Sequence, residues 1–127
     1  MRMIIGGAYQ GKTRYAAEKY ALTAGEIADG AEISEENLSA FRCVNCFHLF
    51  VKKCLENGAD PIGAAEKILG ENPNIIIIMD EIGNGIVPLE KSERIWREQV
   101  GKTGCFLAER AESVERMICG MCVKIKG

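Results

Sequence analysis

At 127 residues, with 47% apolar and 27% charged side chains, the chain has the size and composition of one soluble globular domain, residues 1–127, able to bury a core without disulfides. A net charge of −2 excludes a global attraction to nucleic acid or to an anionic membrane, so a polyanion must be met by a local site. No segment reaches the ~18 apolar residues of a bilayer span, and Met1-Arg2-Met3-Ile4-Ile5 is too short for a secretory apolar core. These features predict a cytoplasmic protein with reduced thiols.

Met3–Ile5 reads as a first strand running into glycines. Lys12–Ala21 carries good helix formers. Gly25–Gly30 reads as a loop. Ser34 can cap a helix whose first turn holds Glu35 and Glu36. Leu38, Phe41, Val44, Phe47, Val51 and Leu55 continue it at helical spacing to Gly58, although part of Phe41–Val44 also fits a short strand. Asp60-Pro61 opens a further helix to about Leu69, and Gly70–Pro73 is a turn. Ile75-Ile76-Ile77-Ile78-Met79 has the uninterrupted β-branched character of a central parallel strand covered on both faces. It ends in Asp80-Glu81. Gly83-Asn84-Gly85 and Pro88 make a tight loop. Leu89–Ala111 reads mainly as helix, broken near Gly101–Gly104. Val114–Cys119 is a last strand, followed by a turn at Gly120 and a basic end at Lys124 and Lys126. The alternation of strands and helices predicts an α/β fold with a mostly parallel central sheet.

Two motifs carry chemistry. Gly6-Gly7-Ala8-Tyr9-Gln10-Gly11-Lys12-Thr13 is a glycine-rich loop between a strand and a helix, the pattern of a P-loop. Its backbone N–H groups and the helix N-terminus suit a triphosphate. Lys12 neutralises the outer phosphates and the Thr13 hydroxyl ligates Mg2+ in this reading. The second motif is Asp80-Glu81 at the end of the isoleucine strand. There Asp80 holds Mg2+ as a Walker B acid, and Glu81 orients or deprotonates the attacking hydroxyl. Together they predict a three-layer P-loop NTPase fold using ATP or GTP. Arg94 and Arg97 share a helix face and can clamp phosphate, or pair with Glu90, Glu93 and Glu98 on a solvated face.

The six cysteines include two Cys-x-x-Cys pairs, Cys43/Cys46 and Cys119/Cys122. Such pairs can build a four-cysteine zinc site. Their apolar surroundings and wide separation favour small buried or half-buried thiols instead.

The third stretch, Glu81-Ile82-Gly83-Asn84-Gly85-Ile86-Val87-Pro88, then Arg94, Arg97, Gly101, Leu107-Ala108, Ala111-Glu112-Ser113-Val114 and Gly120–Lys126, resembles the adenosylcobinamide kinase / adenosylcobinamide-phosphate guanylyltransferase family. The resemblance runs from about Ile75 to Lys126 and includes the first two dozen residues. It implies phosphoryl transfer to the aminopropanol hydroxyl of adenosylcobinamide, a small-molecule substrate, and a self-associated state. The family's Asn before the glutamate is Asp80 here, which makes the site more like an ordinary Walker B, and its Asn-Gln after the Arg-rich helix is Gly104-Cys105, a departure that bears on substrate recognition. The chain is shorter than a usual member and lacks the His-His-x-x-Arg-Pro segment whose histidine is guanylylated, so the guanylyltransferase half-reaction is expected to be absent. The alternative is a non-catalytic nucleotide-binding relative, a sensor or an assembly partner. The sole histidine, His48, lies in a stretch similar to the family's Asp-Cys-Leu-Thr-Leu-Trp and reads as a helix-face or core residue rather than a nucleophile.

Overall fold

A computed structural model describes residues 1–82 and 90–127, and the backbone but not the side chain of Ser39. The predicted Gly83–Pro88 loop lies outside the described residues. Six strands form one sheet in the order β2-β3-β4-β1-β5-β6: β1 Arg2–Gly6, β2 Ile27–Asp29, β3 Cys43–Asn45, β4 Ile76–Asp80, β5 Ser113–Ile118 and β6 Met121–Lys126. All neighbours pair in parallel except β5 and β6, which form an antiparallel hairpin. The α/β, mostly parallel architecture is the predicted one.

Strand residues alternate between two cores, as the period-two geometry requires. Met3, Ile77, Met79 and Val114 face a large core built with α2 (Phe47–Glu56), α3 (Pro61–Glu71) and α4 (Lys91–Arg110). Ile4, Ile76, Ile78 and Met117 face a smaller core against α1 (Lys12–Lys19). Ile76 through Met79 are all at most 5% exposed, so β4 is covered on both faces, as its sequence predicts. Asp60 caps α3 by accepting from the Ile62 N–H at 3.2 Å, with Pro61 in the first turn where its missing donor costs nothing.

Four expectations are corrected. The stretch from Ser34 to Leu55 is three elements rather than one helix: a 3-10 turn Glu35–Ala40, β3, and α2, so the short strand that also fitted part of Phe41–Val44 is present, at Cys43–Asn45. Leu38, Phe41, Val44 and Phe47 recur every three residues, a spacing that 3-10 turns share with helices. The competing demand is at Cys43 and Val44, both fully buried between β2 and β4. Ser34 stands at the start of the 3-10 turn without a side-chain cap on its backbone. The loop expected at Gly25–Gly30 contains a 3-10 turn, Ala24–Glu26, and the short edge strand β2. The break expected near Gly101–Gly104 is absent: α4 is continuous. Gly104 serves packing instead, since a Cβ there would lie 3.0 Å from Met79 Cε. Finally, the basic end is strand β6, paired with β5.

Among the described residues, no helix is long and apolar enough to cross a membrane.

Candidate active site

The sheet register sets the site. Gly6, the last residue of β1, lies beside Asp80 on one neighbour and Met117 on the other. A side chain at Gly6 would meet the Met117 carbonyl oxygen at 2.7 Å, so glycine lets the chain leave the sheet between two strands. The loop then turns through Gly11, whose φ of 84° is left-handed, into the first residue of α1, Lys12. Both chemistry-bearing segments therefore meet at the carboxyl edge of a parallel sheet, where open α/β folds gather ligands.

Lys12 is only 6% exposed. Its Nζ lies 2.7 Å from Asp80 Oδ1 and donates to the Gly7 carbonyl at 2.6 Å. A buried ammonium is tolerated only when paired and hydrogen-bonded. The pair sits in a cavity of about 440 Å³ lined by Ala8–Arg14, Asn45, Cys46, His48, Leu49 and Asp80. Thr13 is half-buried in this lining, and Tyr9 stands fully exposed at the loop's tip.

Glu81 is placed differently. Its backbone N–H donates to the Gly6 carbonyl at 2.8 Å, continuing the β4–β1 ladder. Its two oxygens receive both arms of the Arg116 guanidinium, at 2.7 and 2.9 Å. This fork-to-fork pair lines a separate cleft of about 420 Å³ with Gly7, Gln10 and Cys119. Arg94 is exposed and Arg97 half-buried on α4, and neither lines the Lys12 cavity.

Three supports were not legible as such in the sequence, although one of them, Gln10, belongs to the predicted glycine-rich loop. His48, 6% exposed, accepts the Asp80 backbone N–H on Nδ1 at 3.1 Å and presents Nε2 to Asp80 Oδ2 at 3.5 Å. Burial lowers its basicity against the opposing pull of Asp80, with a smaller contribution from the charge of Lys12. The signal for this role was the end of β3 one residue before α2, hidden by the helical spacing of that stretch.

The second support is Gln10. Its side-chain oxygen accepts the Cys119 N–H at 2.5 Å, and its carbonyl accepts the Gly120 N–H at 3.2 Å, fastening the glycine-rich loop to the β5–β6 turn. The third is Glu115 on β5, 2% exposed, which accepts hydrogen bonds from Tyr15, Lys19 and Tyr20 on and after α1, and from Cys122 on β6. Burial opposes its charge, but the bonds from Cys122, Tyr15 and Lys19 outweigh it and hold the carboxyl down at about 2.

The paired cysteines are dispersed. Cys43 is buried in the smaller core, and burial pushes its thiol up to about 12. Cys46 lines the Lys12 cavity, whereas Cys119 and Cys122 are exposed on the hairpin. Among the described residues, no three His, Cys, Asp or Glu side chains are placed to share a metal ion.

No curated protein matches the chain. A family model described as cobinamide kinase / cobinamide phosphate guanyltransferase matches residues 26–125. That span includes His48, Asp80, Glu81 and Arg116 and begins after the glycine-rich loop. Since it covers most of the chain, the protein belongs to the cobinamide kinase / cobinamide phosphate guanyltransferase family, whose enzymes act on a small molecule in cobalamin biosynthesis.

Proposed function

We propose that this chain is a single P-loop domain that transfers a phosphoryl group from ATP or GTP to the aminopropanol hydroxyl of adenosylcobinamide. The observation that carries the reading is Lys12, a buried cation on the floor of a 440 Å³ cavity, held between Asp80 and the Gly7 carbonyl at the mouth of the glycine-rich loop. A fixed cation beside a glycine-rich loop and a helix N-terminus is complementary to a triphosphate.

In the reaction the loop Gly6–Thr13 binds the phosphates and α1 turns its positive end toward them. Lys12 exchanges Asp80 for the transferring phosphoryl and neutralises charge that develops there. Thr13 and Asp80 supply the oxygen donors suited to Mg2+, which adds further neutralisation of phosphate charge when bound. Glu81 is the candidate for orienting the acceptor hydroxyl, with the acceptor capacity its oxygens keep beyond the fork with Arg116. Catalysis rests mainly on positioning and charge, the usual division of labour in phosphoryl transfer. The absence of a His-His-x-x-Arg-Pro segment supports loss of the guanylyltransferase step.

The test is nucleoside-triphosphate-dependent phosphorylation of adenosylcobinamide by purified protein. A product one phosphate heavier supports the reading. Nucleotide binding without transfer refutes the kinase and leaves a non-catalytic relative, which the engagement of both Glu81 oxygens by Arg116 would then explain.

A further inference from the structure

The amides of a strand point alternately to its two neighbours. On β4 the Ile76 N–H donates to Arg42 on the β3 side at 3.0 Å, and the Glu81 N–H donates to Gly6 on the β1 side. The Asp80 N–H therefore points toward β3. By that level β3 has ended at Asn45, and the chain has turned through Cys46, at φ 55°, into α2. No strand carbonyl remains for Asp80, and a buried, unmet N–H is costly. The His48 imidazole, at the second position of α2, fills the gap with Nδ1.

That contact also fixes the ring. With Nδ1 accepting, the proton of the neutral imidazole is on Nε2, the edge that faces Asp80 Oδ2. The ring is held from behind, since the Trp96 indole N–H donates to the His48 carbonyl at 2.8 Å and packs beside the imidazole. One side chain thus holds the Asp80 backbone N–H and faces, at 3.5 Å, the carboxylate oxygen opposite the one that meets Lys12.

We propose that His48 is a positioning residue for Asp80, holding its carboxylate in the orientation that serves Lys12 and an incoming Mg2+–nucleotide. The proposal rests on the nucleotide-site reading above. Partners that orient a ligating carboxylate are worth roughly 10- to 100-fold in metal affinity.

Titration with a fluorescent ATP analogue, with and without Mg2+, tests it on the full chain. Mg2+ should tighten binding to the wild type. H48L should lose roughly tenfold of that tightening, read as the ratio of its own affinities with and without Mg2+. H48N, whose side-chain oxygen can still accept the Asp80 N–H, should restore it. Full Mg2+ dependence in H48L overturns the proposal and leaves the nucleotide site intact. No nucleotide binding by the wild type overturns the site reading and this inference with it. A second measurement stands even if H48L does not fold. His48 is the only histidine, so its 15N resonances are unambiguous: an unprotonated Nδ1 at neutral pH supports the proposal, and an Nδ1–H tautomer refutes it.

Discussion

Replacing Glu115 with glutamine should remove most of the acid sensitivity of folding. The carboxyl is 2% exposed and sits at about 2 rather than an ordinary 4.5, because hydrogen bonds from Cys122, Tyr15 and Lys19 overcome the burial cost of its charge. At about 1.4 kcal/mol per pH unit, that difference corresponds to about 3 kcal/mol of stability. The sign follows from the direction. A carboxyl with a depressed folded value is fully stabilising above its unfolded value, and the contribution is lost as pH falls from about 5 toward 2. The basicity of Lys19 is raised by the same contact and is not counted again. Denaturant unfolding at pH 7 and at pH 3 measures the effect. The wild type should lose roughly 2 kcal/mol more than E115Q between the two, since the transition is incomplete at pH 3. Equal losses would refute the reasoning and reassign acid sensitivity to surface pairs such as Arg2–Glu112.

K12M should abolish nucleotide binding in the fluorescence titration, and phosphorylation should fall at least 100-fold, because no other cation approaches Asp80 so closely among the described contacts. E81Q weakens the fork with Arg116. Turnover slowed by roughly 100-fold or more at unchanged nucleotide affinity would assign Glu81 to the acceptor hydroxyl, whereas unchanged turnover with a lowered melting temperature would make it structural. G101A should stabilise the protein by about 0.5–1 kcal/mol in denaturant unfolding, because Gly101 is in a continuous helix with open space where its Cβ would go. I78A should cost about 2–5 kcal/mol in the same assay, since Ile78 is fully buried in the smaller core and little can collapse into the space.

The legible parts of the fold were those in which local pattern and tertiary demand agree. The isoleucine run had to be central because no solvent-facing strand tolerates four successive β-branched side chains, and both its faces are covered. Asp60-Pro61 marked the start of α3 because cap and first-turn proline act within three residues. The stretch from Ser34 to Leu55 stayed ambiguous because its apolar spacing is compatible with helix while part of Phe41–Val44 also fits a strand. Its strand exists because β4 and β2 need a partner between them, and that need is written elsewhere in the chain. The glycines of α4 misled for the opposite reason. Their helix-breaking tendency is local and weak, and docking of Gly104 against Met79 overrides it.

The same division explains the site. Lys12 and Asp80 could be named from sequence because a phosphate-binding loop and a strand-end carboxylate are contiguous patterns, and parallel pairing of β1 with β4 then brings them together. What holds them is not contiguous. Gln10 is fastened from Cys119 and Gly120, α1 is held by Glu115 a hundred residues beyond Tyr15, and Asp80 is bound by a histidine from the helix after β3. Each of these partners acts on a protein group, Asp80 itself or the loop and helix that carry Lys12, rather than on a ligand, so none carries a motif of its own. The β5–β6 hairpin consequently has a role that its exposure conceals. It grips the glycine-rich loop through the Cys119–Gly120 turn and α1 through Glu115 of β5, a carboxylate that Cys122 of the fully exposed β6 also meets.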